Sequence, residues 1–146
     1  MRLAIAKARE GIDQGQLPYG AVIVKNGSLI SNTHNTIYDD SNILSHAETN
    51  AIIEACKKLG TLDLTGCTLY ATCEPCPMCF GACVLARIAR LVYSSRLDDG
   101  ILPGFSILAI ASEELKEKGH AEIEITGDFL REESITLFEI WKKRRG

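Results

Sequence analysis

The sequence has no run of apolar residues near the roughly 20 that a membrane-spanning helix requires. Its longest candidate, Ile107 to Ala111, falls far short. A signal-peptide core is missing as well, because Lys7, Arg9 and Glu10 interrupt the first apolar residues, which read as an amphipathic helix. Basic residues are not in excess. Sixteen Lys and Arg stand against 19 Asp and Glu, a net charge of −3, which offers no broad attraction to a phosphate backbone. Repeats, low-complexity tracts and linkers are absent too. These absences predict a cytoplasmic protein with no membrane partner, and they argue against a nucleic-acid partner. What remains is 146 residues, 46% hydrophobic and 24% charged. That is the length of one domain, here residues 1–146, able to bury roughly 70% of its unfolded surface. The composition excludes a disordered or collagen-like chain.

Six cysteines stand out: Cys56, Cys67, Cys73, Cys76, Cys79 and Cys83. A secreted disulfide scaffold is usually shorter and spreads its cysteines more evenly. In a cytosolic chain, the Cys-x-x-Cys spacing of Cys76 and Cys79 points instead to metal or redox chemistry.

Residues 2–14 carry helical periodicity. Gly20 to Lys25, Asn26-Gly27 and the apolar pair Leu29-Ile30 read as a β-hairpin with a type I′ turn. Residues 33–45 are polar and mixed, a long connecting loop. From His46 the period becomes helical, with Gly60 as the stop. Residues 67–72 form a third strand, Pro75 to about Ala89 a second buried helix, and 90–94 a fourth strand. A helix over 107–118, a fifth strand over 122–126 and a last helix capped by Asp128 follow. The expected fold is α/β: a five-stranded mixed sheet flanked by helices in three layers.

Two motifs carry chemistry, His46-Ala47-Glu48 and Pro75-Cys76-Pro77-Met78-Cys79. Each sits where the chain enters a helix. At a helix start, residues three apart point the same way, and the positive dipole end favours thiolates, the metal-binding form. If the two helix starts converge, His46, Cys76 and Cys79 give three ligands. That leaves a tetrahedral metal one open position, the catalytic arrangement for zinc, which lowers the pKa of bound water to about 7. Glu48 is placed to carry protons.

The pattern H-x-E…P-C-x-x-C is the zinc deaminase signature. With Ser45–Gly60, Leu69–Ile88, Leu17–Val24 and the His34-Asn35 pair, the chain resembles the cytidine/deoxycytidylate deaminase superfamily over roughly residues 2–95. The most similar branch holds guanine deaminase, tRNA adenosine deaminase and yeast-type cytosine deaminase. The resemblance implies one zinc ion per subunit on His46, Cys76 and Cys79, with Glu48 as the catalytic proton shuttle. It further implies substrate contacts from Asn35 and Ala47, and a homodimer. It also implies a substrate-selecting role for the loop holding Asp98, Asp99 and Phe105, which on residues alone read as solvated.

Less specific readings compete. His46 alone reads as a helix-end residue, Glu48 as a favourable charge in a first turn, and Asn35 as an Asx turn. The cysteine pair fits a redox dithiol, but that leaves His46 and Glu48 unexplained. A structural zinc module needs a fourth ligand, and the one candidate, Cys73, reads as the buried end of a strand. Cys56, Cys67, Cys83 and Trp141 read as core, and Lys142 to Arg145 as a helix-end charge run. The substrate ranking is a guanine-type purine first and cytosine or another pyrimidine second. Adenosine in tRNA comes third, because the loop after the fourth strand lacks the Lys-Thr-Gly and Gly-Ser pattern of that group.

Overall fold

Asn26 and Gly27 take φ values of 50° and 75°, the left-handed pair that a type I′ turn needs to join two strands of right-handed twist. They connect β1 (Gly20–Lys25) to β2 (Ser28–His34) in the computed structural model, which describes residues 1–145. β1 also pairs antiparallel with β3 (Cys67–Cys73). Beyond it, β4 (Arg90–Ser95) and β5 (Glu124–Thr126) run parallel to β3, in the order β2-β1-β3-β4-β5. Parallel neighbours need crossovers, and α3 (Pro77–Leu85) and α4 (Ser112–Gly119) supply them. The remaining helices are α1 (Arg2–Asp13), α2 (Ala47–Leu59) and α5 (Arg131–Arg145).

Two clusters divide the helices between the faces of the sheet. Ala51, Ala55, Phe80 and Cys83 of α2 and α3 pack on Ile23, Leu69 and Leu91. Ala8 and Ile12 of α1 meet Leu137, Phe138 and Trp141 of α5 on the other face. The three layers and the mixed five-stranded sheet are as the sequence predicts. No described helix is long and apolar enough to cross a membrane.

Several element bounds differ from expectation, β5 among them, which spans Glu124–Thr126 and not 122–126. α3 begins at Pro77 because Cys76 precedes a proline and is held extended, φ −63° and ψ 165°. It ends at Leu85, ahead of Arg87 with φ 61°. α4 begins only at Ser112, and Ile107 and Leu108 of the expected helix line a cavity instead. Asp128 lies ahead of the last helix, which starts at Arg131; it takes φ 59° and pairs with Arg96.

Candidate active site

His46 and Cys76 are the N-cap residues of α2 and α3, both extended. β2 and β3 both run antiparallel to β1, so the helices that follow them start at the same end of the sheet. His46 Nδ1 lies 3.5 Å from the Cys79 Sγ and 3.8 Å from the Cys76 Sγ. The three donor atoms lie within 4.8 Å of one another. Ideal tetrahedral zinc, with Zn–S near 2.3 Å and Zn–N near 2.05 Å, puts sulfur and nitrogen ligands about 3.6 Å apart. Two soft sulfurs and one imidazole at that spacing fit zinc, and no fourth side chain joins the cluster among the described residues.

The electrostatics follow from the contacts. A hydrogen bond from Cys79 and a second from His46 pull the Cys76 thiol down to about 4, against the effect of burial. Cys79 is pushed up as the donor in that pair, with burial adding to the rise. The contact with Cys76 raises His46. Glu48 sits in the first turn of α2, only 7% exposed, and desolvation raises its carboxyl above the usual range. A carboxyl raised in this way is better matched to exchanging protons near neutral pH.

A cavity of about 310 Å³ adjoins this group, with His46, Glu48 and Cys76 among the residues that line it. Apolar side chains make up most of its lining, among them Leu17, Ile37, Leu97, Leu102, Phe105 and Leu108. Asn35 and Ala47 are fully buried but do not line it. Asn35 accepts the Ile37 N–H at 3.2 Å, while its own amide nitrogen is buried with no partner among the described residues. The Ala47 carbonyl accepts the Thr33 hydroxyl at 2.8 Å.

The loop after β4 divides. Phe105 lines the cavity, where residue type alone reads it as solvated. Asp99 instead forms a two-pronged ion pair with Arg131 at 2.8 and 2.9 Å, and Asp98 is exposed. Cys73 is the buried end of β3, and all six cysteines are free. Sequence reasoning missed Glu74, which also lines the cavity. The signal was there: Glu74 is the one charged residue between Cys67 and Ala86.

Residues 1–95 match the model of the cytidine and deoxycytidylate deaminase zinc-binding region. The tRNA-specific adenosine deaminase of Bacillus subtilis is 39% identical over 150 residues, covering 99% of this chain and 91% of that protein. Guanine deaminase from the same organism is 42% identical over 106 residues, covering 72% of this chain and 68% of its own. A structure solved in a study of A-to-I editing by tRNA:A34 deaminases at the wobble position of transfer RNA superposes with a TM-score of 0.81. It is 30% identical, with 94% of this chain and 96% of that one covered. These relatives withdraw support from the expectation that argues against a nucleic-acid partner. The chain belongs to the cytidine and deoxycytidylate deaminase family, and is a zinc-type hydrolytic deaminase of nucleobases or nucleosides.

Proposed function

We propose that this deaminase hydrolyses the exocyclic C–N bond of a purine base presented as a free base or small nucleoside, with guanine-type substrates first. His46, Cys76 and Cys79 would hold the zinc ion, and Glu48 is the proton shuttle. Bound zinc supplies a Lewis acid that makes water nucleophilic at neutral pH. Glu48 takes a proton from the attacking water and passes it to the ring nitrogen beside the reacting carbon. It then carries the second proton to the departing nitrogen, so that the C–N bond breaks and ammonia leaves. The apolar walls exclude competing water and strengthen each interaction of that carboxyl group. Asn35, whose buried amide nitrogen has no partner among the described residues, and Ala47, whose N–H opens α2 without an intrahelical partner, are the proposed contacts to the base, which must reach past the cavity lining to meet them.

One observation carries the preference for a small substrate. Among the described residues, no Lys or Arg lines the cavity. A polynucleotide partner needs free cations for its phosphates. The second reading, adenosine within tRNA, is favoured by the near full-length match to a tRNA-specific adenosine deaminase. Ammonia release from guanine, guanosine, adenine, adenosine, cytosine, cytidine and a tRNA anticodon stem-loop separates the readings. Turnover of guanine or guanosine supports the first, and turnover of the stem-loop alone replaces it with the second. The proposal includes a cytoplasmic homodimer, for which exposed Leu62, Val84 and Leu85 offer apolar surface, and sedimentation reads its mass.

A further inference from the structure

Glu74 is a buried carboxylate, 4% exposed, that the proposed chemistry leaves unused. It directly follows β3, and its N–H donates to the Ser95 carbonyl at 2.8 Å, which fixes its backbone across the ends of β3 and β4. The side chain reaches two backbone donors far apart in the chain. One oxygen accepts the Leu97 N–H at 3.1 Å, and the other accepts the Ser112 N–H at 2.7 Å. Those donors bracket the segment that walls the cavity. Between them, the backbone hydrogen bonds of residues 101–111 are short-range, Phe105 to Leu102 and Ile110 to Leu108. Leu102 alone in this stretch is fully buried, in the cluster with Trp141.

We infer that Glu74 is a positioning residue whose carboxylate clamps both ends of residues 97–112, holding them as a strap across the cavity and so setting how tightly the site retains its base. The chemistry suits a carboxylate. Ser112 opens α4, so its N–H is one of the donors with no intrahelical partner, at the positive end of the helix. Two separate N–H groups need two acceptor oxygens. Glutamine has one, and its NH₂ would confront the other donor. Aspartate is a methylene too short to span both.

The kinetic consequence rests on the deaminase reading, but the clamp itself is tested without it. Chymotryptic cleavage within residues 101–111 of zinc-loaded E74Q is expected to run about tenfold faster than in the wild type, the scale of one lost charge-assisted hydrogen bond. S112P removes the far donor with Glu74 intact. Proline is tolerated at a first helical position, and Ala111 before it is already extended at φ −61° and ψ 145°. The same accelerated cleavage is expected there, and this variant decides the matter if E74Q does not fold. On the best substrate, E74Q is expected to raise KM about tenfold with kcat within about threefold, the signature of lost uniform binding. Wild-type cleavage rates in both variants would overturn the clamp. So would loss of zinc from E74Q, which would make Glu74 a support for Cys76 instead, or a fall in kcat at constant KM. If the wild type releases ammonia from no base, the deaminase reading falls, and the digestion still decides the clamp.

Discussion

Gly100 stands so close to Cys73 that a Cβ at position 100 would come within 2.5 Å of the Cys73 sulfur. The backbone there is not left-handed, so space alone requires glycine. The contact joins the end of β3 to the turn from which the cavity wall departs, and the Tyr19 hydroxyl donates to the Gly100 carbonyl in the same place. G100A is expected to cost about 1–3 kcal/mol through overpacking. C73A in the same chain removes the obstructing sulfur and should recover most of that loss. Urea unfolding of the two single variants and the double variant measures the coupling, which should reach at least about 0.5 kcal/mol. Additive losses would mean that Phe138, 3.4 Å from the same point, is the real obstruction.

Glu48→Gln preserves size and hydrogen-bonding reach but cannot carry a proton. Ammonia release should fall by roughly 10²–10⁴-fold, the contribution of a positioned proton-transfer group. The zinc content, read by elemental analysis, should remain that of the wild type. Equal turnover by the two proteins would remove Glu48 from the mechanism and leave a zinc-binding module as the better description.

Much of this site was legible because its signals are local. Asn26-Gly27 dictates its turn, Gly60 takes φ 64° to stop α2, and His46 and Cys76 mark helix starts through the residues that follow them. The approach of those two starts is not local: it depends on the pairing of β1 with both β2 and β3, and a motif only suggests it. Pro75 marks a helix start by residue type, but Pro77 holds Cys76 extended, so α3 opens only at Pro77. Ile107 to Ala111 reads as helix by apolarity, yet tertiary structure spends Ile107 and Leu108 on the cavity. Asn35 shows the opposite case. Its burial and unpaired amide follow from how the chain returns past Tyr19, whose carbonyl accepts the Asn35 N–H at 3.0 Å, and nothing in its neighbours announces that.

Removal of zinc should expose the cysteines selectively. In the zinc-loaded protein, Cys76 and Cys79 are expected to resist alkylation, and a chelator should abolish both ammonia formation and that protection. Cys76 should label first, because its neighbours hold it as a thiolate. Cys73 and Cys83 are buried thiols pushed far above the usual range, and should stay unlabelled while the fold persists. Thermal stability should drop on chelation, since a ligand bound only by the native state stabilises it. Peptide mapping of the modified protein reads the order, and ready labelling before chelation would favour the redox dithiol.

Acid should weaken the attachment of the loop after β4 to α5. The Arg131 guanidinium, through two hydrogen bonds, holds the Asp99 carboxyl below its usual value of 3.8, and the Arg96 N–H adds to the effect. A carboxyl lowered by folding binds fewer protons in the native state than in the unfolded chain. Its stabilisation is therefore complete above the unfolded pKa of about 3.9, and is lost as pH falls through the lower, folded value. D99N retains a partial acceptor but no charge, so its melting temperature should lie below that of the wild type at pH 7. The difference should close as pH drops below 3.8 and the wild-type carboxyl takes up its proton. Paired melting curves from pH 7 down to the acid limit of folding follow the convergence. A gap that stays constant across that range would show that Asp99 acts through packing, and that its charge on Arg131 adds nothing.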